Sequence, residues 1–169
     1  MTKVSTVGVI SDTHGLLRPE AVAALRGVGA IVHAGDIGSP EILRSLSALA
    51  PVTAVRGNND REPWARALPE TAVVRIGTTR LYVLHDVKEL GLDPGARGFA
   101  AVLSGHSHQP HAEQRDGVLF FNPGSAGPRR FRLPVSVGRL TIAGGRVSAE
   151  ILTLISGLGS GGRSFTAVK

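Results

Sequence analysis

The sequence predicts an α/β fold, and three observations carry that prediction. The first third of the chain alternates short apolar runs with helix-like segments in the order β-α-β-α-β. That order builds a parallel sheet through right-handed crossovers. The remainder alternates strand-like runs with glycine-rich turn signals, which predicts hairpins and hence a mixed sheet or two packed sheets. Finally, 169 residues that are 42% hydrophobic and 19% charged have the size and composition of one domain with a sizeable core. They argue against global disorder and leave no room among them for a second catalytic or cap domain.

Val4–Ile10 is a Val-rich strand candidate running into the polar turn Ser11-Asp12-Thr13-His14. Pro19 opens a helical stretch through Ala24 and Leu25, which Gly27 or Gly29 stops. Ala30–Ala34 is a second strand and leads to Gly35-Asp36. Ser39 and Pro40 read as the N-cap and first residue of a helix over Glu41–Leu49. Pro51 breaks that helix, and Val52–Val55 is a third strand leading to Gly57-Asn58-Asn59-Asp60. The later strand candidates are Thr71–Ile76, Leu81–Leu84, Ala101–Leu103, Val118–Phe121, Val135–Ile142 and Arg146–Leu154. Turn signals at Gly77-Thr78-Thr79, Asp116-Gly117 and Gly144-Gly145 separate neighbouring runs. The domain is expected over residues 1–155, with the Gly- and Ser-rich residues 156–169 as a flexible C-terminal tail.

Composition narrows the chemistry. The absence of Cys excludes a disulfide scaffold, a zinc-thiolate site and a cysteine nucleophile. No run approaches 18 uninterrupted apolar residues, so no membrane-spanning helix is expected. The N-terminal apolar run is interrupted by Ser and Thr and followed by Asp12 and His14, which reads as a strand and not a signal peptide. A soluble cytoplasmic protein is expected. The formal charge of +6 permits an anionic partner such as nucleic acid. Nucleic acid is nonetheless not favoured, because the Arg residues are scattered. The one dense run, Arg129, Arg130 and Arg132 around Phe131, is of the kind that usually solvates a surface.

The polar residues of interest follow five separate strands. Besides the three turns above, Leu81–Leu84 delivers His85-Asp86, and Ala101–Leu103 delivers Gly105-His106-Ser107-His108. Ligands of open α/β sheets bind outside the carboxyl ends of the strands, so these five deliveries converge. Singly they are weak: Asp-x-His, Gly-Asp and Gly-Asn-Asn-Asp all occur in ordinary turns. As an ordered set they have the composition of a dinuclear metal site. Imidazole nitrogens with carboxylate oxygens suit Mn, Fe, Zn or Ni better than Ca or Mg. One Asp can bridge two ions about 3.5–4 Å apart.

The order Asp-x-His, Gly-Asp, Gly-Asn-x-Asp, His, Gly-His-x-His resembles the calcineurin-like metallophosphoesterase superfamily. Asn122-Pro123-Gly124-Ser125, followed by Pro128-Arg129, resembles its small single-domain phosphodiesterase branch. The resemblance spans residues 4 to 152. It implies a four-layer αββα sandwich of two mixed β-sheets flanked by helices. It implies one metal held by Asp12, His14, Asp36 and His108, and a second held by Asp36, Asn58, His85 and His106, with Asp36 as bridge. Two divalent ions, Mn foremost and Fe, Zn or Ni as alternatives, would then activate a bridging hydroxide for in-line attack on a small phosphoester, with a diester preferred. The alternatives are a nuclease of the same superfamily and a non-catalytic interaction scaffold with the same fold. A homo-oligomer is also open.

Two departures stand out. The usual form of the third motif carries a His that protonates the leaving group, and here that place is Asn59, with Asp60 in the partner position. Asn58, Asn59 and Asp60 are therefore the catalytic candidates, and Asn59 a candidate substrate contact. Many relatives follow the single ligand His with Gly-His, where this chain has Asp86-Val87. Asp86 is expected to orient His85 or a water. His33 reads as a core residue, His111 as surface, and Trp64 as packing under a loop.

Overall fold

The computed structural model describes residues 3–155 and 165–168. Eleven strands and two helices follow one another as β1 (Val4–Ile10), α1 (Pro19–Leu25), β2 (Ala30–His33), α2 (Pro40–Ser47), β3 (Val52–Ala54), β4 (Thr71–Ile76), β5 (Thr79–Leu84), β6 (Ala101–Leu103), β7 (His111–Arg115), β8 (Val118–Asn122), β9 (Val135–Ala143), β10 (Arg146–Ile155) and β11 (Phe165–Val168). Short 3-10 turns occupy Pro63–Ala67 and Val87–Glu89.

Two mixed sheets result, as the resemblance implies. The first has the order β11-β10-β9-β1-β2-β3 and the second β4-β5-β6-β8-β7. β1, β2 and β3 run parallel, and so do β5, β6 and β8. The flanking pairs are antiparallel hairpins or returns. Parallel neighbours end on the same side, so the turns after β1, β2 and β3 in one sheet, and after β5 and β6 in the other, gather at one rim of the sandwich.

The inner faces meet in a core of Val7, Val9 and Val32 against Leu81, Val83, Leu103 and Phe121. Phe121 of the second sheet lies over Gly138 of the first: a Cβ on Gly138 would fall 2.3 Å from the ring. The outer face of the first sheet is covered by α1 and α2, which bury Ala21, Leu25, Ile42 and Leu46 against Ile10, Ile31 and Val137. α2 starts where Ser39 and Pro40 predict, with Ser39 Oγ accepting from the Glu41 amide at 3.2 Å. The second sheet's outer face buries Leu84, Val102 and Val118 under residues 86–99. This cover is a 3-10 turn and irregular chain, because Gly91, Pro94, Gly95 and Gly98 disfavour an α-helix.

β7 is absent from the strand candidates above; it pairs antiparallel with β8 across the Asp116-Gly117 turn signal, in a hairpin that begins at His111. Of the segment expected to trail as a tail, residues 156–164 lie outside the described residues, and Phe165–Val168 pairs antiparallel with β10. No helix among the described residues is long and apolar enough to cross a membrane.

Candidate metal centre

The turn after β1 places Asp12 and His14, and the turn after β6 places His108, around one point. Asp12 Oδ1 lies 3.2 Å from His108 Nε2 and 3.8 Å from His14 Nε2, and the two imidazole nitrogens are 3.3 Å apart. Asp12 is fully buried, yet its Oδ1 accepts no hydrogen bond. Its Oδ2 is satisfied, by Ser11 Oγ at 2.6 Å and the His106 amide at 3.1 Å. An orphaned carboxylate oxygen beside two imidazole nitrogens is a donor set that fits a cation.

A second group adjoins the first. His85 Nδ1 is 2.7 Å from the Ala34 carbonyl, which can only accept, so Nδ1 carries the proton. His85 Nε2 then faces Asp36 Oδ2 at 3.4 Å and Asn58 Oδ1 at 3.0 Å. His106 Nδ1 reaches the same Asn58 oxygen at 3.1 Å. Asp36 Oδ2 also lies 3.8 Å from His14 Nε2, so this one oxygen faces both groups. Ligand atoms of Asp12, His14 and His108 all lie within 4.8 Å of one another, as do those of Asp12, Asp36 and His85. The structure thus brings Asp12, His14, Asp36, Asn58, His85, His106 and His108 into one cluster.

The electrostatics follow from these contacts. Burial opposes charge on His85, but the Asp36 carboxylate and the Ala34 carbonyl outweigh it and raise the ring to about 9. Burial also works against Asp36, but His85 and the Asn59 amide hold its carboxyl well below the usual range. Burial depresses His14 against the pull of Asp36 and Asp12. A cation held at His85 Nε2 would have to displace the proton that this environment favours there.

The backbone is bent to achieve this convergence. Seven non-glycine residues among those described have left-handed φ, and five of them are Asp12, His14, Asp36, His106 and His108. Such backbone costs about 1–2 kcal/mol per residue and concentrates at functional sites. Two glycines allow the close approach: a Cβ on Gly57 would fall 2.1 Å from Asp36 Oδ1, and one on Gly105 would fall 1.9 Å from Ser11 Oγ.

The structure gives several other residues parts that the sequence did not. Asp60, expected among the catalytic candidates, is only 3% exposed. Its carboxylate accepts from the amides of Ile37 (2.9 Å), Gly38 (3.1 Å) and Gly57 (2.9 Å), so it clips the Asp36 turn to the Asn58 turn. Asn59 lies beside the cluster. Its side-chain amide donates to Asp36 Oδ2 at 2.8 Å and its backbone amide to Oδ1 at 2.9 Å. Asp86 faces His106, at 3.6 Å, and not His85, whose free nitrogen is already taken by Ala34. Asn122 holds the His106 turn, donating to the Gly105 carbonyl at 2.7 Å and Ser107 Oγ at 3.1 Å. His33 is a core residue: the Gly35 amide donates to its Nδ1, and its Nε2 meets Thr13 Oγ1 at 2.9 Å. Trp64 packs against the helix-side core with its ring nitrogen on Glu62.

A sandwich of two mixed sheets thus pools Asp, His and Asn donors at its strand ends, a set that fits divalent metal ions. The chain belongs to the calcineurin-like phosphoesterase superfamily, whose domain matches residues 6–145. It is 39% identical over 161 residues to a probable metallophosphoesterase of Methanothermobacter thermautotrophicus, covering 86% of this chain and 91% of that protein. It is 29% identical over 139 residues to a phosphodiesterase of Methanocaldococcus jannaschii, covering 70% of this chain and 82% of that one. Among solved structures, vacuolar protein sorting 29 of Cryptosporidium parvum shares the fold at 21% identity and a TM-score of 0.79, over 98% of this chain and 97% of that one. The phosphoesterase YfcE of E. coli does so at 24% identity and a TM-score of 0.70, over 96% and 98%.

Proposed function

We propose that this chain is a dinuclear-metal-dependent phosphoesterase that prefers phosphodiesters. In this reading Asp12, His14, Asp36 and His108 hold one divalent ion, and Asp36, Asn58, His85 and His106 hold the other. The observation that carries it is the placement of Asp36 Oδ2 within 3.4 Å of His85 and 3.8 Å of His14, between two donor groups. The mixed nitrogen and oxygen donors suit Mn, Fe, Zn or Ni, and the family resemblance puts Mn foremost. Bound there, such ions supply an acidified water and neutralise the phosphoryl oxygens.

The chain's own residues divide the remaining work. Asn59 orients Asp36 through two hydrogen bonds and cannot itself release a proton near neutral pH. That favours substrates whose leaving group departs unaided. Asp60 and Asn122 hold the turns that present the donors. An open cleft of about 640 Å³ borders Asn58, His85 and His106, and its walls carry Arg56, Arg61 and Arg66 together with Glu70, Asp86 and Glu89, Arg56 being paired with Glu70 at 2.7 Å. The likeness to vacuolar protein sorting 29 is one of fold, and the complete donor set favours the enzyme over the scaffold reading.

Metal analysis of the purified protein, paired with turnover of bis(4-nitrophenyl) phosphate, tests the proposal. The parent should hold two transition-metal ions and hydrolyse the diester. Asp36→Asn should lose at least one ion and more than about 100-fold in activity, beyond what loss of an outer contact costs. Two ions retained with activity within a few-fold rejects the bridge, and a parent with neither metal nor turnover restores the scaffold reading.

A further inference from the structure

Residues 128–134 spring from a fixed base beside the centre. Ser125 Oγ donates to the Asp12 carbonyl at 3.0 Å, and Ser125 pairs with Val135 where the chain returns to β9. Gly127 lies so close beneath the Asp12 turn that a Cβ there would come within 2.4 Å of the Asp12 and Thr13 carbonyl oxygens. Arg18 fixes the same point, with Nε and Nη2 each 3.3 Å from the Gly127 carbonyl. The N-terminal end of the loop is therefore tied to the turn that carries Asp12 and His14, and its C-terminal end pairs with Ser125.

The tip is Arg129-Arg130-Phe131-Arg132, closed by the Leu133 amide on the Arg130 carbonyl at 3.1 Å. Phe131 is 93% exposed, where the next most exposed large apolar residue among those described, Val4, is 60% exposed. Its φ of 51° is left-handed, a conformation that bulky side chains avoid. Neither packing nor backbone preference accounts for an aromatic ring held in water at this place.

We infer that the Phe131 loop recognises a nucleoside phosphodiester, with the base stacked on Phe131 and the phosphate charge opposed by Arg130 and Arg132. The inference rests on the phosphoesterase reading and names the substrate class of that same centre. Stacking of a base on an aromatic side chain contributes about 5- to 150-fold in binding and tolerates any base. A phosphate without a base meets the same arginines and forgoes that factor.

Calorimetry on the manganese-loaded protein tests this without any turnover. Thymidine 5′-monophosphate should bind at least about fivefold tighter than methyl phosphate. Phe131→Ala should abolish that margin, Phe131→Tyr should keep it, and methyl phosphate should bind all three forms equally. Equal affinity of the two ligands for the parent, or thymidine monophosphate binding unchanged in Phe131→Ala, overturns the inference. Octathymidylate, titrated in parallel, separates sources of the same chemistry. Little gain over the mononucleotide indicates a small diester, and a large, steeply salt-dependent gain indicates a strand; both need Phe131. Phe131-dependent binding to phosphatidylserine vesicles without discrimination between the two phosphates overturns it in favour of a membrane-facing loop. In kinetics, thymidine 5′-(4-nitrophenyl) phosphate should show a raised KM and unchanged kcat in Phe131→Ala. A parent that turns over no ester rejects the phosphoesterase reading, while the calorimetric comparison still decides the inference.

Discussion

A leaving oxygen gains negative charge as a phosphoester bond breaks, and Asn59 has no proton to give it. An acidic phenol tolerates that charge, whereas an alkyl alcohol does not. Turnover should therefore depend steeply on leaving-group pKa. Asn59→His should flatten this dependence and raise turnover of alkyl diesters on the order of 100-fold, the lower end of what a general acid supplies. A series of aryl and alkyl diesters assayed on both forms checks it, and a flat series in the parent would assign the proton to another group. His33 makes a prediction of a different kind. Burial holds its ring down to about 4, against 6.5 for a free imidazole. Between those values the unfolded chain binds more protons than the folded one, so stability falls as pH drops from 6.5 toward 4. The gap corresponds to roughly 3 kcal/mol. Urea midpoints of the metal-free protein at pH 6.5 and 4.5 should differ much less in His33→Gln than in the parent. His85, raised to about 9, acts in the other window: its contribution is full below pH 6.5 and is lost as pH rises through 9.

At the scale of elements, the turns matter more than the strands they end. Asp60→Ala leaves the buried Ile37 and Gly57 amides without an acceptor, which should cost roughly 3 kcal/mol. It should also weaken metal binding about 10- to 100-fold, since it loosens two donor turns together. Asp60→Asn, which keeps an acceptor, should lose less on both counts; chemical denaturation and a manganese titration measure the two effects. The sequence made the donors legible because each closes an apolar run with a short polar motif. It could not show which way a carboxylate in such a turn faces. Asp60 follows Asn58 by two residues and yet turns to backbone amides, and nothing in Gly-Asn-Asn-Asp separates the two fates. Asn122 stands in a Pro-Gly turn motif, and its bonds to Gly105 and Ser107 assign it to the His106 turn. β7 is absent from the apolar strand candidates for another reason. His-Ala-Glu-Gln-Arg has no apolar alternation, and its pairing with β8 across Asp116-Gly117 makes it a strand.

Across the whole molecule, the β-α-β-α-β opening and the later hairpins were legible from hydrophobic runs and turn residues. How the two sheets stack was not, because that depends on shape at single contacts. Phe121 over Gly138 is one such contact. Phe121→Ala should cost about 3–5 kcal/mol through the cavity it opens. Gly138→Ala should destabilise by overlap with the ring. Combining Gly138→Ala with Phe121→Leu should cost less than the sum of the two single changes, which a double-mutant cycle in urea would read directly. The two donor groups span this same junction. Asp12, His14, Asp36 and Asn58 belong to turns of the first sheet, and His85, His106 and His108 to turns of the second. An ion shared among them would suture the two layers at this rim. Prying the layers apart would then mean releasing the ion, so the temperature at which the sandwich opens becomes a gauge of occupancy. A shelf of metal salts and a melting curve would rank the divalent ions by how tightly they hold the two layers.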